Sequence, residues 1–146
     1  MRAKLAEDPK ALVATLKRWQ ELEAESITQT GAIMEKTTNP LIQLVMEIIR
    51  HDSAMHARVQ QVIIDSLEKE AFHLTPEELG EIWDSIEKHI AMEKETIALA
   101  DQARRNIRGF VQRYLLSYLV ADEQKHDRLL DQLEDFKRNL YPYASS

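Results

Sequence analysis

Glu123 and His126 stand three residues apart in the run Ala121-Asp122-Glu123-Gln124-Lys125-His126. On a helix that spacing puts a carboxylate and an imidazole on one face, close enough to serve a single metal centre. The run His51-Asp52-Ser53-Ala54-Met55-His56 has the same form, with the same Asp and final His, but carries Ser53 where the other carries Glu123. A second pair of segments repeats as well, Leu22-Glu23-Ala24-Glu25-Ser26-Ile27 being echoed by Met92-Glu93-Lys94-Glu95-Thr96-Ile97. Glu23 lies in line with Leu16, Trp19 and Ile27, and Glu93 with Ile86, Ile90 and Ile97. Both carboxylates are therefore expected on buried faces, with Glu25 and Glu95 pointing nearly the opposite way. Leu116, Leu119, Leu130 and Leu133 flank Glu123 and His126, which turns that pair inward too.

A buried carboxylate costs about several kcal/mol unless it is protonated, paired or coordinated to a cation. Three and four residues away from Glu23 stand Trp19, Gln20, Ser26 and Ile27; from Glu93, His89, Ile90, Thr96 and Ile97; from Glu123, Leu119, Val120, His126 and Asp127. None of these is Lys or Arg, so local ion pairing is not on offer. The chain has no Cys, which excludes thiolate zinc sites, iron–sulfur clusters and disulfides and leaves only nitrogen and oxygen donors. Mixed carboxylate and imidazole ligation suits iron or manganese. Taken singly, each residue also fits an ordinary helical protein, since an isolated Glu-x-x-His arises often by chance. The combination at matching places is what points to a metal.

The elements that must position these residues follow from sparse punctuation. Only 3 Gly and 4 Pro occur in 146 residues, a poor supply of turns for a many-stranded sheet and a good match to long helices. Asp8-Pro9, Thr38-Asn39-Pro40 and Thr75-Pro76-Glu77-Glu78 read as helix starts, and Asn106 to Gly109 as a break. Helices are expected at roughly 9–36, 40–73, 76–105 and 108–139, with a tail from Tyr141 too short for a fifth. Apolar stripes such as Leu79, Ile82, Ile86, Ile90 and Ile97 recur at helical spacing. The fold class is thus all-α, one domain of four helices arranged as two helical hairpins related by an approximate two-fold axis. Glu23 and the Ser53/His56 pair lie about equally far from the first turn, roughly 20–25 Å at the helical rise, and Glu93 and the Glu123/His126 pair stand in the same relation to the break near Asn106.

The formal net charge of -6 and pI near 5.4 give no basic field for a phosphate backbone, so nucleic acid is not an expected partner. The opening MRAKLAEDPK lacks the apolar core of a secretory signal, and no apolar run is long enough for a bilayer. A cytoplasmic protein without a membrane partner is the expectation.

Within this pattern, Asp122-Glu123-x-x-His126 resembles the fourth-helix motif of rubrerythrins and bacterioferritins. Glu23 and Glu93, each with Ile four residues on, resemble the terminal ligands of those proteins, and His56 matches the second-helix ligand. The whole set resembles the ferritin-like di-iron carboxylate family, with a Glu from two helices and Glu-x-x-His from the other two. That resemblance implies a ferritin-like four-helix bundle in which Glu23 and His56 serve one iron, Glu93 and His126 the other, and Glu123 bridges them. It also implies that Asp52 bonds His126 and Asp122 bonds His56, each fixing a ring tautomer. Ser53 departs from the family, which has a second bridging Glu at its place. The lost charge leaves hydroxide, an exogenous anion or Asp52 to balance two ions, and leaves a single ion or manganese as alternatives. His89, one turn before Glu93, is either an extra ligand or a rim histidine. The activity so implied is redox chemistry with dioxygen or peroxide, as a ferroxidase or peroxidase, fed by an external electron donor in a homodimer. Iron storage, and a non-catalytic interaction protein with a degenerate site, are the other functions the sequence leaves open.

Overall fold

The computed structural model describes residues 8–70 and 73–140. The expectations for the opening residues 1–7 and for the tail from Tyr141 fall outside them. Four α-helices make up the described chain: α1 (Pro9–Glu35), α2 (Pro40–Glu68), α3 (Pro76–Asn106) and α4 (Phe110–Leu140). No strand occurs among the described residues, and no helix there is long and apolar enough to cross a membrane. The all-α class follows directly. α1 packs on α2 and α3 packs on α4, giving two hairpins, the first within residues 1–72 and the second within 73–146.

The helix starts are set by side chains that satisfy the first backbone N–H groups, which have no partner within the helix. Asp8 accepts from the Lys10 N–H at 3.1 Å, and Asn39 accepts from Leu41 at 3.0 Å and Ile42 at 3.3 Å. Thr75 and Glu78 form a reciprocal capping box, each side chain bonding the other's backbone N–H at 3.2 Å. Pro stands in the first turn of α1, α2 and α3, where its missing N–H costs nothing.

Two of the expected boundaries differ from the observed ones by more than one residue. α2 stops at Glu68, five residues short of the expected end at 73, because Lys69 leaves the helical region with φ -114° and ψ -133°. α4 starts at Phe110, two residues later than expected, beyond Gly109.

Inside the first hairpin the apolar contacts sit at the end away from the turn, where Val13 and Leu16 of α1 meet Ile64 of α2. Ile64 is 1% exposed, as is Leu79 in the second hairpin, and burial of each contributes about 1.5–3 kcal/mol. Toward the turn the interior becomes polar. Gln20 of α1 donates to the Ala57 carbonyl and to Gln61, both at 3.1 Å. Glu23, Ser53, Gln60 and Thr30 are all buried there. In the second hairpin Leu79 and Trp83 are buried at the end away from the turn, Leu116 is buried close to the turn, and Glu93 is the buried charge.

Several residues expected on the apolar stripes are instead exposed: Trp19, Ile82 and Leu119 are each close to half accessible. Within each hairpin the stripe covered by the partner helix is narrower than the one these sequences carry. Glu25 and Glu95 are exposed, as their opposite facing requires.

Candidate metal centre

Glu93 is 8% exposed and is the buried carboxylate of α3. α4 brings Glu123 and His126 against it, one turn apart on the same face. His126 Nδ1 lies 3.5 Å from Glu93 Oε1 and 3.7 Å from Glu123 Oε2. One donor atom from each of Glu93, Glu123 and His126 falls within 4.8 Å of the others, the one such group of carboxylates and imidazoles among the described residues. Two ligands bound to the same divalent ion at about 2.0–2.2 Å are separated by about 3–4 Å. The three residues thus converge on a volume that one ion fills after small side-chain movements. An open cavity of about 460 Å³, lined by His89, Glu93, His126, Leu129 and Leu130, adjoins them.

The two glutamates are shifted in opposite directions. A hydrogen bond from Glu123, with help from His89 and His126, holds the Glu93 carboxyl below its ordinary range, against the opposing effect of burial. Glu123 moves the other way, pushed up by that same hydrogen bond to Glu93, by burial and by the Glu93 charge. Of the two carboxyls, Glu123 is thus the one that holds a proton more readily and Glu93 the one that ionises more readily. The far nitrogen of His126, Nε2, lies 3.5 Å from Asp122 Oδ2 on its own helix. A carboxylate in that place steers the ring so that Nδ1 is left for a cation. Asp122 also pairs with Lys125 at 2.8 Å.

The first hairpin repeats this plan with one substitution. Glu23, also 8% exposed, lies 3.4 Å from His56 Nδ1 through its Oε1. The interval of 70 residues that separates Glu23 from Glu93 also separates Asp52 from Asp122, Ser53 from Glu123 and His56 from His126. Ser53 is buried like a ligand would be, but its hydroxyl bonds the Ser26 hydroxyl at 3.0 Å. The place of a third donor is thereby filled by a neutral, satisfied side chain. Asp52 is half-buried beside it on α2.

Sequence reasoning did not anticipate the ring donors. Trp19 Nε1 donates to Glu23 Oε1 at 3.1 Å, and His89 Nε2 stands 3.0 Å from Glu93 Oε1. The signal was the spacing of four between ring and carboxylate, which places them one turn apart on one face. Even with these partners, Oε2 of both glutamates is buried without a hydrogen bond. An unsatisfied buried acceptor costs about 1–3 kcal/mol, more when charged. Two at equivalent positions are what a cation would relieve, so the donor set fits a divalent metal. Tyr114 and Tyr118, one to two turns before Glu123, are exposed on α4.

No family model matches the chain, and neither a curated protein nor a solved structure matches it at a significant level.

Proposed function

We propose that this chain binds a divalent transition-metal cation through Glu93, Glu123 and His126, with Glu23 and His56 as a second, weaker pair of donors. The observation that carries the reading is the convergence of three donor atoms within 4.8 Å around a carboxylate whose Oε2 is buried and unpartnered. Nitrogen and oxygen donors without thiolate favour iron or manganese among the available ions. Such a metal, when bound, supplies redox chemistry with dioxygen or peroxide, and electrons come from an external donor.

The protein's own part is to position and to neutralise. Glu93 and Glu123 provide negative charge. Asp122 fixes His126 so that Nδ1 is presented. Leu129 and Leu130 line the open cavity beside them.

Elemental analysis after reconstitution with iron and manganese tests this reading. One ion per chain is expected from the α3–α4 group alone, and two from the ferritin-like di-iron form that the motif pattern implies. Glu123→Ala should abolish the tighter binding. A folded protein that takes up no metal would overturn the proposal. It would favour a non-catalytic interaction protein, the reading supported by the Ser53–Ser26 hydrogen bond, which satisfies a ligand position without a metal.

A further inference from the structure

Two rings of different chemistry occupy the same place in the two hairpins. Trp19 precedes Glu23 by one turn, His89 precedes Glu93 by one turn, and 70 residues separate the two rings as they do the two glutamates. Each ring nitrogen meets the same atom of its glutamate, Oε1, at 3.1 Å and 3.0 Å. Each leaves Oε2 buried and without a partner. The indole nitrogen of Trp is a donor only and has no lone pair for a metal. At this position the first hairpin therefore uses a ring N–H to hold a carboxylate and nothing else.

We infer that His89 is a positioning residue, donating its Nε2–H to Glu93 Oε1 as Trp19 does to Glu23 and leaving Oε2 for the cation. The inference rests on the metal-binding reading above and adds to it what orients the buried ligand. Glu93 is an acceptor when ionised, so the bond requires the proton on Nε2 of His89. A nitrogen that carries that proton cannot ligate. The spatial grouping agrees, since the donor atoms lying mutually within 4.8 Å come from Glu93, Glu123 and His126 without His89. Pinning one oxygen of a buried carboxylate fixes its plane, so no side-chain freedom has to be lost when the ion arrives.

The equivalence of the two rings supplies the test. His89 and Trp19 are each about half exposed, so aromatic substitutions at position 89 meet little steric resistance. Co²⁺ is titrated into the full chain, native and as His89→Phe and His89→Trp, with affinity read by calorimetry and coordination by the visible d–d spectrum. Thermal unfolding of each metal-free variant checks that it is folded. His89→Phe keeps a ring but has no donor, and should weaken Co²⁺ binding about 10-fold or more. His89→Trp restores a ring N–H without a possible ligand, and should recover most of that loss with the native spectrum.

If His89→Phe binds Co²⁺ as tightly as the native chain, the ring is packing only and the inference fails while metal binding stands. If His89→Trp is as weak as His89→Phe and the native spectrum is lost in both, His89 is a ligand, which also overturns it. Failure of the native chain to bind Co²⁺ overturns both readings together.

Discussion

Glu123 is the residue on which the chemistry of the second hairpin turns. Its carboxyl is held above the ordinary range by the hydrogen bond to Glu93 and by burial, while Glu93 is held below. A cation competes with a proton for that carboxyl. Binding should therefore release a proton from Glu123 and strengthen as the pH rises through the raised Glu123 value. Calorimetry in buffers of different ionisation enthalpy counts that proton. Glu123→Gln, which mimics the protonated carboxyl, should eliminate the release and weaken binding. The same substitution has a defined sign on stability without metal. A raised carboxyl value stabilises the folded chain at low pH and loses that contribution as the pH rises through it. Glu123→Gln should accordingly unfold at a higher temperature than the native chain above that value, and at nearly the same temperature below it. An unchanged proton count would mean that Glu123 is already ionised and that the Glu93–Glu123 hydrogen bond does not form.

At the scale of elements, the starts of α1, α2 and α3 were legible in the sequence, while the start of α4 and the end of α2 were not. Each of those three starts combines a side chain that accepts from unpaired N–H groups with a Pro in the first turn, and both act locally. α2 has no comparable stop, since neither Gly nor Pro stands between Ile63 and Pro76. Its end at Glu68 is visible in the backbone of Lys69 and in no residue type. The site was readable to a similar degree. Inward-facing Glu23 and Glu93 follow from helical period, and Glu123 with His126 from their spacing. The bonds from Trp19 and His89 did not follow, because a search for paired charge overlooks neutral ring donors. Thr75 allows a test of the element separately from the site. Thr75→Ala removes the capping box of α3 and should cost about 0.5–2 kcal/mol in denaturant unfolding. Glu93 lies about 27 Å along the helix from that cap, so metal affinity should stay unchanged. A loss of affinity would mean that fraying at the start of α3 reaches the ligands.

Across the whole molecule, the chain carries one hairpin plan twice, and the two copies differ at two decisive positions, Trp19 against His89 and Ser53 against Glu123. The second difference decides how many carboxylates each copy offers. In the first hairpin Ser53 sits buried where the second hairpin places Glu123, and its hydroxyl is satisfied by Ser26. Ser53→Glu should therefore recreate the trio of two glutamates and one histidine from Glu23, the new carboxylate and His56. Two effects of opposite sign follow. Without metal, the added carboxyl displaces the Ser26 hydrogen bond and stands buried beside the Glu23 carboxylate, at a cost of about 1–3 kcal/mol. With metal, the same group should supply the third donor and add one tightly held ion per chain, raising the unfolding temperature of the loaded protein above that of the loaded native chain. Metal titration and thermal unfolding, with and without the ion, measure both. A variant that binds no further metal and melts with the native chain when both are metal-free would show that position 53 does not face Glu23 and His56, and that the equivalence of the two hairpins stops at their backbones.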